Sequence, residues 1–357
     1  MAMGISPAAA LPALFLVYAA VMADAFTCNS TGASCNGLVG YVSPNATTLS
    51  HIKTLFAIKN LRSLLGANGL SLSTPSNQTV AANQTIRIPF PCICGNGTGR
   101  PKNPPVYKVV SGDGLDHIAR DVFSGLVTYQ QIQEFNHIKD ASVILAGQPL
   151  KIPLPCSCDE LGGGERFVHY GHMVEPGSTV DGLAQEFGAS PEAILRLNGL
   201  SDPKDLMANV AIDIPLKACT SMVSNSSLDY PLLVANGTYS FTAANCVRCK
   251  CEAANNWTLQ CEPSQVNSSL WRVCPSMQCE GSENLSLGNT TSSSCSRTTC
   301  AYAGYTNQTI LTVLAPESTC PASDDNNNNA TKFSCWSWSF ILIWIHLMML
   351  LCLHFVQ

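Results

Sequence analysis

The segment Tyr107-Lys-Val-Val-Ser-Gly-Asp-Gly-Leu-Asp-His-Ile-Ala119 recurs as His172-Met-Val-Glu-Pro-Gly-Ser-Thr-Val-Asp-Gly-Leu-Ala184. This internal repetition constrains the fold most, because a repeat of this kind is one supersecondary unit used several times over. Each copy runs on into a second apolar-periodic stretch ending in asparagine, at Asn136 and Asn198. Each then closes on Ile-Pro, at Ile152-Pro153 and Ile214-Pro215. A more diverged copy lies upstream in Tyr41, Thr48-Leu49-Ser50-His51-Ile52, Leu64-Leu65-Gly66-Ala67-Asn68 and Ile88-Pro89. The period is about 65 residues, linkers included.

Within one copy the periodicities predict the elements. Residues 107–110 are β-branched and suit a short strand. Leu115, Ile118, Ala119 and Val122 share one helical face, and Ile132 with Phe135 marks a second, shorter helix. Leu150 and Ile152 alternate in a closing strand that Pro153 ends. The expected unit is strand, helix, helix, strand, with antiparallel strands and both helices on one face. A unit of about 50 residues has a marginal core and needs covalent help.

The cysteines provide that help. Two of the 18, Cys335 and Cys352, lie in the C-terminal apolar tail, leaving an even set of 16. In a secreted chain these read as disulfides, so the close triplet Cys246, Cys249 and Cys251 is not taken as a metal site. Cys92-Ile93-Cys94 and Cys156-Ser157-Cys158 follow the first two copies. Residues two apart on an extended chain point the same way with Cα atoms near the upper limit for a bridge, so each finds its partner elsewhere. Cys28, Cys35, Cys92, Cys94, Cys156 and Cys158 still allow many pairings, and spacing does not choose among them. Ten further cysteines between Cys219 and Cys320 are enough for five bridges in a small β-rich domain.

Both ends carry processing signals. An apolar run over residues 11–21 leads to Ala23-Asp24-Ala25, a small-x-small cleavage pattern that predicts a mature start at Phe26. A charged n-region is missing, so hydrophobic length and the cleavage pattern carry this reading. At the other end, polar residues 321–331 precede a terminal run with no charged residue after Lys332. That order reads as a glycosylphosphatidylinositol (GPI) anchor signal, with attachment within residues 323–330 and Asn329 preferred. The expected location is the outer face of the plasma membrane. The expected division is a signal peptide at 1–25, a first unit with its Cys-x-Cys at 26–105, a second at 106–158 and a third at 168–219. A cysteine-rich domain at 220–320 and the anchor signal at 321–357 follow.

Charged residues make up 12% of the chain, about half the usual share, so the surface must be solvated by other groups. N-x-Ser/Thr sequons at Asn29, Asn45, Asn77, Asn83, Asn96, Asn225, Asn236, Asn256, Asn267, Asn284, Asn289 and Asn307 offer glycans for that role. Asn329 is also a sequon, and glycan and anchor exclude each other there. A net charge of −5 with no basic run argues against nucleic acid or anionic lipid as a partner.

The Tyr-x-Val-x-x-Gly-Asp-x-Leu-x-x-Ile-Ala pattern at residues 107–119, with Asn136 and Ile152-Pro153, resembles a lysin motif, LysM. Three such motifs separated by Cys-x-Cys pairs, then a cysteine-rich segment and an anchor signal, resemble the plant LysM GPI-anchored receptor-like proteins. The resemblance covers nearly the whole chain. It implies an α+β fold of three tandem βααβ modules packed together by disulfides, and the bridges Cys28–Cys94, Cys35–Cys158 and Cys92–Cys156. It implies a non-enzymatic receptor, without cofactor or metal, for chitin oligosaccharides or the related peptidoglycan glycan. A LysM receptor kinase partner and a ligand-bridged homodimer follow from the same resemblance. The implied groove lies on the middle motif between two loops. One is Ser111, Gly112, Asp113, Gly114, Leu115, Asp116 and His117; the other is Lys139, Asp140, Ala141, Ser142, Val143, Ile144 and Leu145.

Residue chemistry suits such a groove. Gly112 and Gly114 let backbone approach a ligand, and open N–H groups at a helix start can donate to an acetamide carbonyl. Ile144 and Leu145 offer an apolar floor. The first motif has Ser43-Pro44-Asn45 in place of the glycine turn, and the third has Pro176-Gly177-Ser178, so the site is expected on the middle copy. Glycosidase chemistry needs paired carboxylates, for which Asp113, Asp116 and Asp140 are the candidates. Asp113 has no counterpart in the other copies and no separate catalytic domain remains, which disfavours an enzyme. A cell-wall structural protein is the other rival.

Overall fold

The computed structural model describes residues 26–162 and 164–320. The expected signal peptide, the expected anchor signal and Asn329 lie outside the described residues. The fold is α+β, with strand–helix–helix–strand order appearing three times. The first unit runs through Ser34–Val42, Leu49–Leu55, Leu61–Ala67 and Thr85–Gly95. The third runs through Phe167–Met173, Val180–Phe187, Pro191–Leu197 and Ala211–Cys219. Hydroxyl or amide side chains open these helices: Thr48, Asn60, Thr179 and Ser190 each accept a first-turn N–H.

The repeated asparagine after the second helix has a clear physical role. Asn136 Nδ2 donates to the Ile132 and Lys151 carbonyls, at 2.8 Å each, while its Oδ1 accepts from Lys151 N. Asn198 repeats this with Ile194 and Asp213, and Asn68 with Leu64 and Arg87. One side chain thus satisfies helix-end and strand groups together, and the same staple joins helix to closing strand in all three units.

The middle unit departs from the expected elements in two places. Its opening strand is Val106–Lys108 rather than 107–110, because the Val110 N–H turns away to the Asp113 carboxylate at 2.7 Å. Its first helix begins at Leu115–His117 and then widens into a π turn at Ile118–Val122. Phe123 N donates to Ile118 O at 3.0 Å across that turn. The extra residue rotates Phe123, rather than Val122, fully into the core, where it meets Phe56 and Tyr107 edge-on. The second helix, Tyr129–Phe135, opens on a Thr128–Gln131 capping box, and Pro149–Lys151 closes the unit.

The first and third units share one six-stranded sheet. Their opening strands run parallel, with Leu38 opposite Tyr170. The middle unit keeps its own two-stranded ladder but shares an apolar core with the first, in which Ile52, Leu64 and Ile88 pack with Ile118, Ile132 and Leu150. Cys28–Cys94 ties the N-terminal segment to the first unit's closing strand, and Cys35–Cys158 and Cys92–Cys156 tie the first unit to the chain that leaves the middle unit.

Residues beyond Cys219 form two small three-stranded antiparallel sheets held by Cys219–Cys251, Cys246–Cys274, Cys249–Cys261, Cys279–Cys300 and Cys295–Cys320. The Cys246, Cys249 and Cys251 sulfurs are all in bridges, so that triplet has no thiolate to offer a metal. This domain braces the first unit: Tyr239 Oη donates to Leu70 O at 2.7 Å. A Cβ on Gly66 would lie 2.2 Å from Tyr239 O, so only glycine permits the contact.

A buried ion pair joins the opening and closing strands of the third unit, and Asp159 links it to the N-terminal segment. His169 Nδ1 is 2.6 Å from Asp213 Oδ2, and Nε2 is 3.0 Å from the Asp159 carbonyl. The Asp159 carboxylate in turn accepts the Asn29 and Ser30 N–H groups. A carbonyl only accepts, so Nε2 carries a proton, and the carboxylate favours one on Nδ1 as well. Burial works to lower the His169 pKa, but Asp213 and the Asp159 carbonyl outweigh it and leave it raised. Stability from this pair is therefore full below the unfolded histidine value of about 6.5 and is lost as pH rises through the folded value. Burial holds the His172 pKa down, so His172 gives the opposite slope. Thermal melts across this range should show that His169→Gln loses more stability in acid than in base. Parallel curves for the variant and the parent would refute the linkage.

Candidate functional site

The two loops of the middle unit meet because their strands pair. Lys108 lies opposite Pro149 in the antiparallel ladder. Beyond it, Val109 N donates to Gln148 O at 3.0 Å and Gly147 N to Val109 O at 2.7 Å. Residues 111–117 and 139–145 therefore emerge side by side at one end of the ladder.

In the first loop Ser111, Gly112, Gly114, Asp116 and His117 are exposed, while Leu115 is core. Asp113 faces inward. Its Oδ2 accepts the Tyr107 hydroxyl at 2.9 Å and the Val110 N–H, which fixes the turn. Desolvation, reinforced by Asp113, pushes the Tyr107 phenol up to about 12, so it remains a donor. Asp116 pairs with Arg120 at 3.3 Å, and His117 Nδ1 contacts Asp121 at 2.8 Å. Gly114 has no side chain to cap the short helix, which leaves first-turn N–H groups open to solvent or ligand.

In the second loop Asp140 holds its own turn, accepting the Ser142 N–H at 2.9 Å and hydroxyl at 2.6 Å. Those bonds keep its carboxyl below the usual range. Lys139 and Ser142 are exposed, and Ala141 and Ile144 rest half-buried on the core. Val143 and Leu145 stand out at 62% and 70% exposure, flanking Ile144 with an unusually apolar surface. Val110, 60% exposed beside the first loop, adds to it. The sequence gives no signal of that exposure, because a valine in a β-branched run reads as an ordinary strand residue.

The two glycines are separable by mutation. Gly112 sits at φ +96°, so Gly112→Ala should destabilise the protein by about 1 kcal/mol. Gly114 has an ordinary extended φ of −114° and open space around a would-be Cβ. Gly114→Ala should melt like the parent, so any ligand effect it has would come from the ligand side. Chemical unfolding of both variants checks this, and a large loss from Gly114→Ala would contradict the geometry.

Fold and loops together are those of a tandem-LysM protein. Residues 107–153 and 172–215 match the model of the LysM domain; the first strand–helix–helix–strand unit lies outside both matches. The chain is 46% identical over 343 residues to LysM domain-containing GPI-anchored protein 2 of Arabidopsis thaliana, covering 95% of each. It is 39% identical to the chitin elicitor-binding protein of Oryza sativa subsp. japonica, covering 91% of this chain and 90% of that one. It is 34% identical to LysM domain-containing GPI-anchored protein 1 of Arabidopsis thaliana, over 84% and 74%. The chain belongs to the family of LysM domain-containing GPI-anchored proteins.

Proposed function

We propose that this chain is a cell-surface pattern-recognition receptor of plant innate immunity that binds chitin fragments in the groove between residues 111–117 and 139–145. The observation that carries the reading is 39% identity, over 91% of the chain, to a protein named for binding a chitin elicitor. The loop pair agrees with it: exposed Val143 and Leu145 beside half-buried Ile144 give the apolar surface an N-acetyl methyl and ring face require. Asp113, Asp116 and Asp140 are each engaged in holding their own loops, which favours binding over hydrolysis.

The protein sits outside the plasma membrane on a GPI anchor, in keeping with its relatives' names. Among the described residues no helix is long and apolar enough to cross a membrane. A lipid-anchored ectodomain relays its signal through a partner that spans the membrane, and a LysM receptor kinase fills that role. A long glycan repeats the same sugar face and can bridge two ectodomains, raising their effective concentration. Glycans solvate the ectodomain at Asn29, Asn45, Asn77, Asn83, Asn96, Asn225, Asn236, Asn256, Asn267, Asn284, Asn289 and Asn307, all exposed.

Side-by-side calorimetric titration with chitin and peptidoglycan fragments tests the ligand. Tighter binding of chitin fragments, strengthening with chain length, is expected. A preference for peptidoglycan would overturn the choice, and cross-linking on cells that captures no membrane-spanning kinase would overturn the partner.

A further inference from the structure

A second cleft, of about 340 Å³, lies between the first and third units. It is within the size range of small-ligand sites and holds about one sugar ring. Thr85 and Arg87 come from the first unit's closing strand, facing His172, Glu175, Glu186 and Phe187 of the third.

The repeat explains why the cleft is open. His172 and Ser178 stand where the middle unit has Tyr107 and Asp113. Tyr107 and Asp113 close on each other through a 2.9 Å hydrogen bond, whereas His172 and Ser178 both line the cleft.

Its chemistry is divided between the walls. Arg87 lies 5.7 Å over the Tyr170 ring, interacts with its hydroxyl and, with the Thr85 hydroxyl, offers its remaining donors. Glu175 and Glu186 offer acceptors on the other side. No ion pair among the described residues engages any of these three charges. The His172 and Phe187 rings, 5.0 Å apart, add an apolar surface. An anion would meet two carboxylates, and a cation would meet Arg87. A neutral pyranose satisfies both walls, because each hydroxyl donates and accepts while one ring face packs on an aromatic.

We propose that this cleft is a second saccharide subsite that takes one pyranose ring of an N-acetylhexosamine glycan. The ligand class rests on the reading of the chain as a glycan binder. Two sources can supply the ring: a free oligosaccharide, or the protein's own glycan on Asn83. The sequon hydroxyl of Asn83 belongs to Thr85, itself part of the cleft.

Hydrogen exchange on the full glycosylated ectodomain tests the subsite. The probe is the β-1,4-linked dimer of N-acetylglucosamine, applied to the parent and to Asn83→Gln. Protection at residues 85–87 and 175–187 on adding dimer to the parent identifies a free ligand. Protection already present in the parent, lost in Asn83→Gln and restored by dimer, identifies the resident glycan. Either pattern should disappear in Ser178→Trp, which fills the cleft, and the dimer midpoint, read in the parent or in Asn83→Gln according to the pattern, should rise about tenfold on adding Glu186→Gln, an exposed site that leaves the fold intact. The subsite is overturned if neither source protects these segments, or if protection survives Ser178→Trp. Protection at 111–117 and 139–145 with longer chains reports separately on the middle groove, so failure of one reading is distinct from failure of the other.

Discussion

Ectodomain carrying Cys92→Ser or Cys156→Ser is expected to vanish from the culture medium. The Cys92–Cys156 bridge joins the first unit's closing strand to the chain leaving the middle unit, 64 residues on. Both side chains are buried, at 0% and 1% exposure. A Cβ on Gly99 would fall 1.7 Å from the Cys156 carbonyl oxygen, so the backbone is packed tightly around the bridge. Serine at either position buries a hydroxyl without its bridge and frees a thiol beside two other disulfides. Losing a native bridge from a small secreted domain costs about 2–5 kcal/mol, set against a total stability of about 5–15 kcal/mol. A Cys92→Ala/Cys156→Ala pair leaves no thiol to mispair, so it should be secreted in reduced yield and melt lower. Immunoblots of medium and lysate, with melting curves on whatever is secreted, decide the matter. Normal yield and melting temperature in both single variants would refute the staple.

The unit order was legible because each unit is short and its elements are amphipathic. Leu115, Ile118 and Ala119 mark one helix and Ile132 the next, and all four are buried. The repeated geometry of the asparagine staple was not legible, although the asparagine itself was: its partners are backbone groups that carry no residue signal. The π turn was missed because α periodicity fits Val122 as well as it fits the true helix start, and only the packing of Phe123 against Phe56 and Tyr107 selects the wider turn. Sharing of one sheet by the first and third units was also hidden. Strand pairing between distant repeats leaves no mark on either strand alone. At the candidate site, residue type located the loops but not the roles within them. Asp113 reads as an available carboxylate in sequence, yet its turn directs it inward to Tyr107 and Val110.

The apolar surface of the proposed groove leads to the second large effect. Ile144→Glu should leave the ectodomain folded and weaken binding of chitin fragments by about tenfold or more. Ile144 is only half-buried, flanked by exposed Val143 and Leu145, so a glutamate there can carry its charge to solvent. The fold therefore tolerates it, but a ligand seated on that surface must strip water from the carboxylate without supplying a partner for it. Leu145→Glu gives the cleaner comparison, because at 70% exposure it has little packing to lose. Both variants should melt within a few degrees of the parent. Their affinity loss should grow with chain length until the ligand spans the groove, since each added ring buries more of the altered floor. Calorimetry on folded protein measures this directly. If Ile144→Glu and Leu145→Glu both bind long fragments as tightly as the parent, the ligand does not lie between these loops.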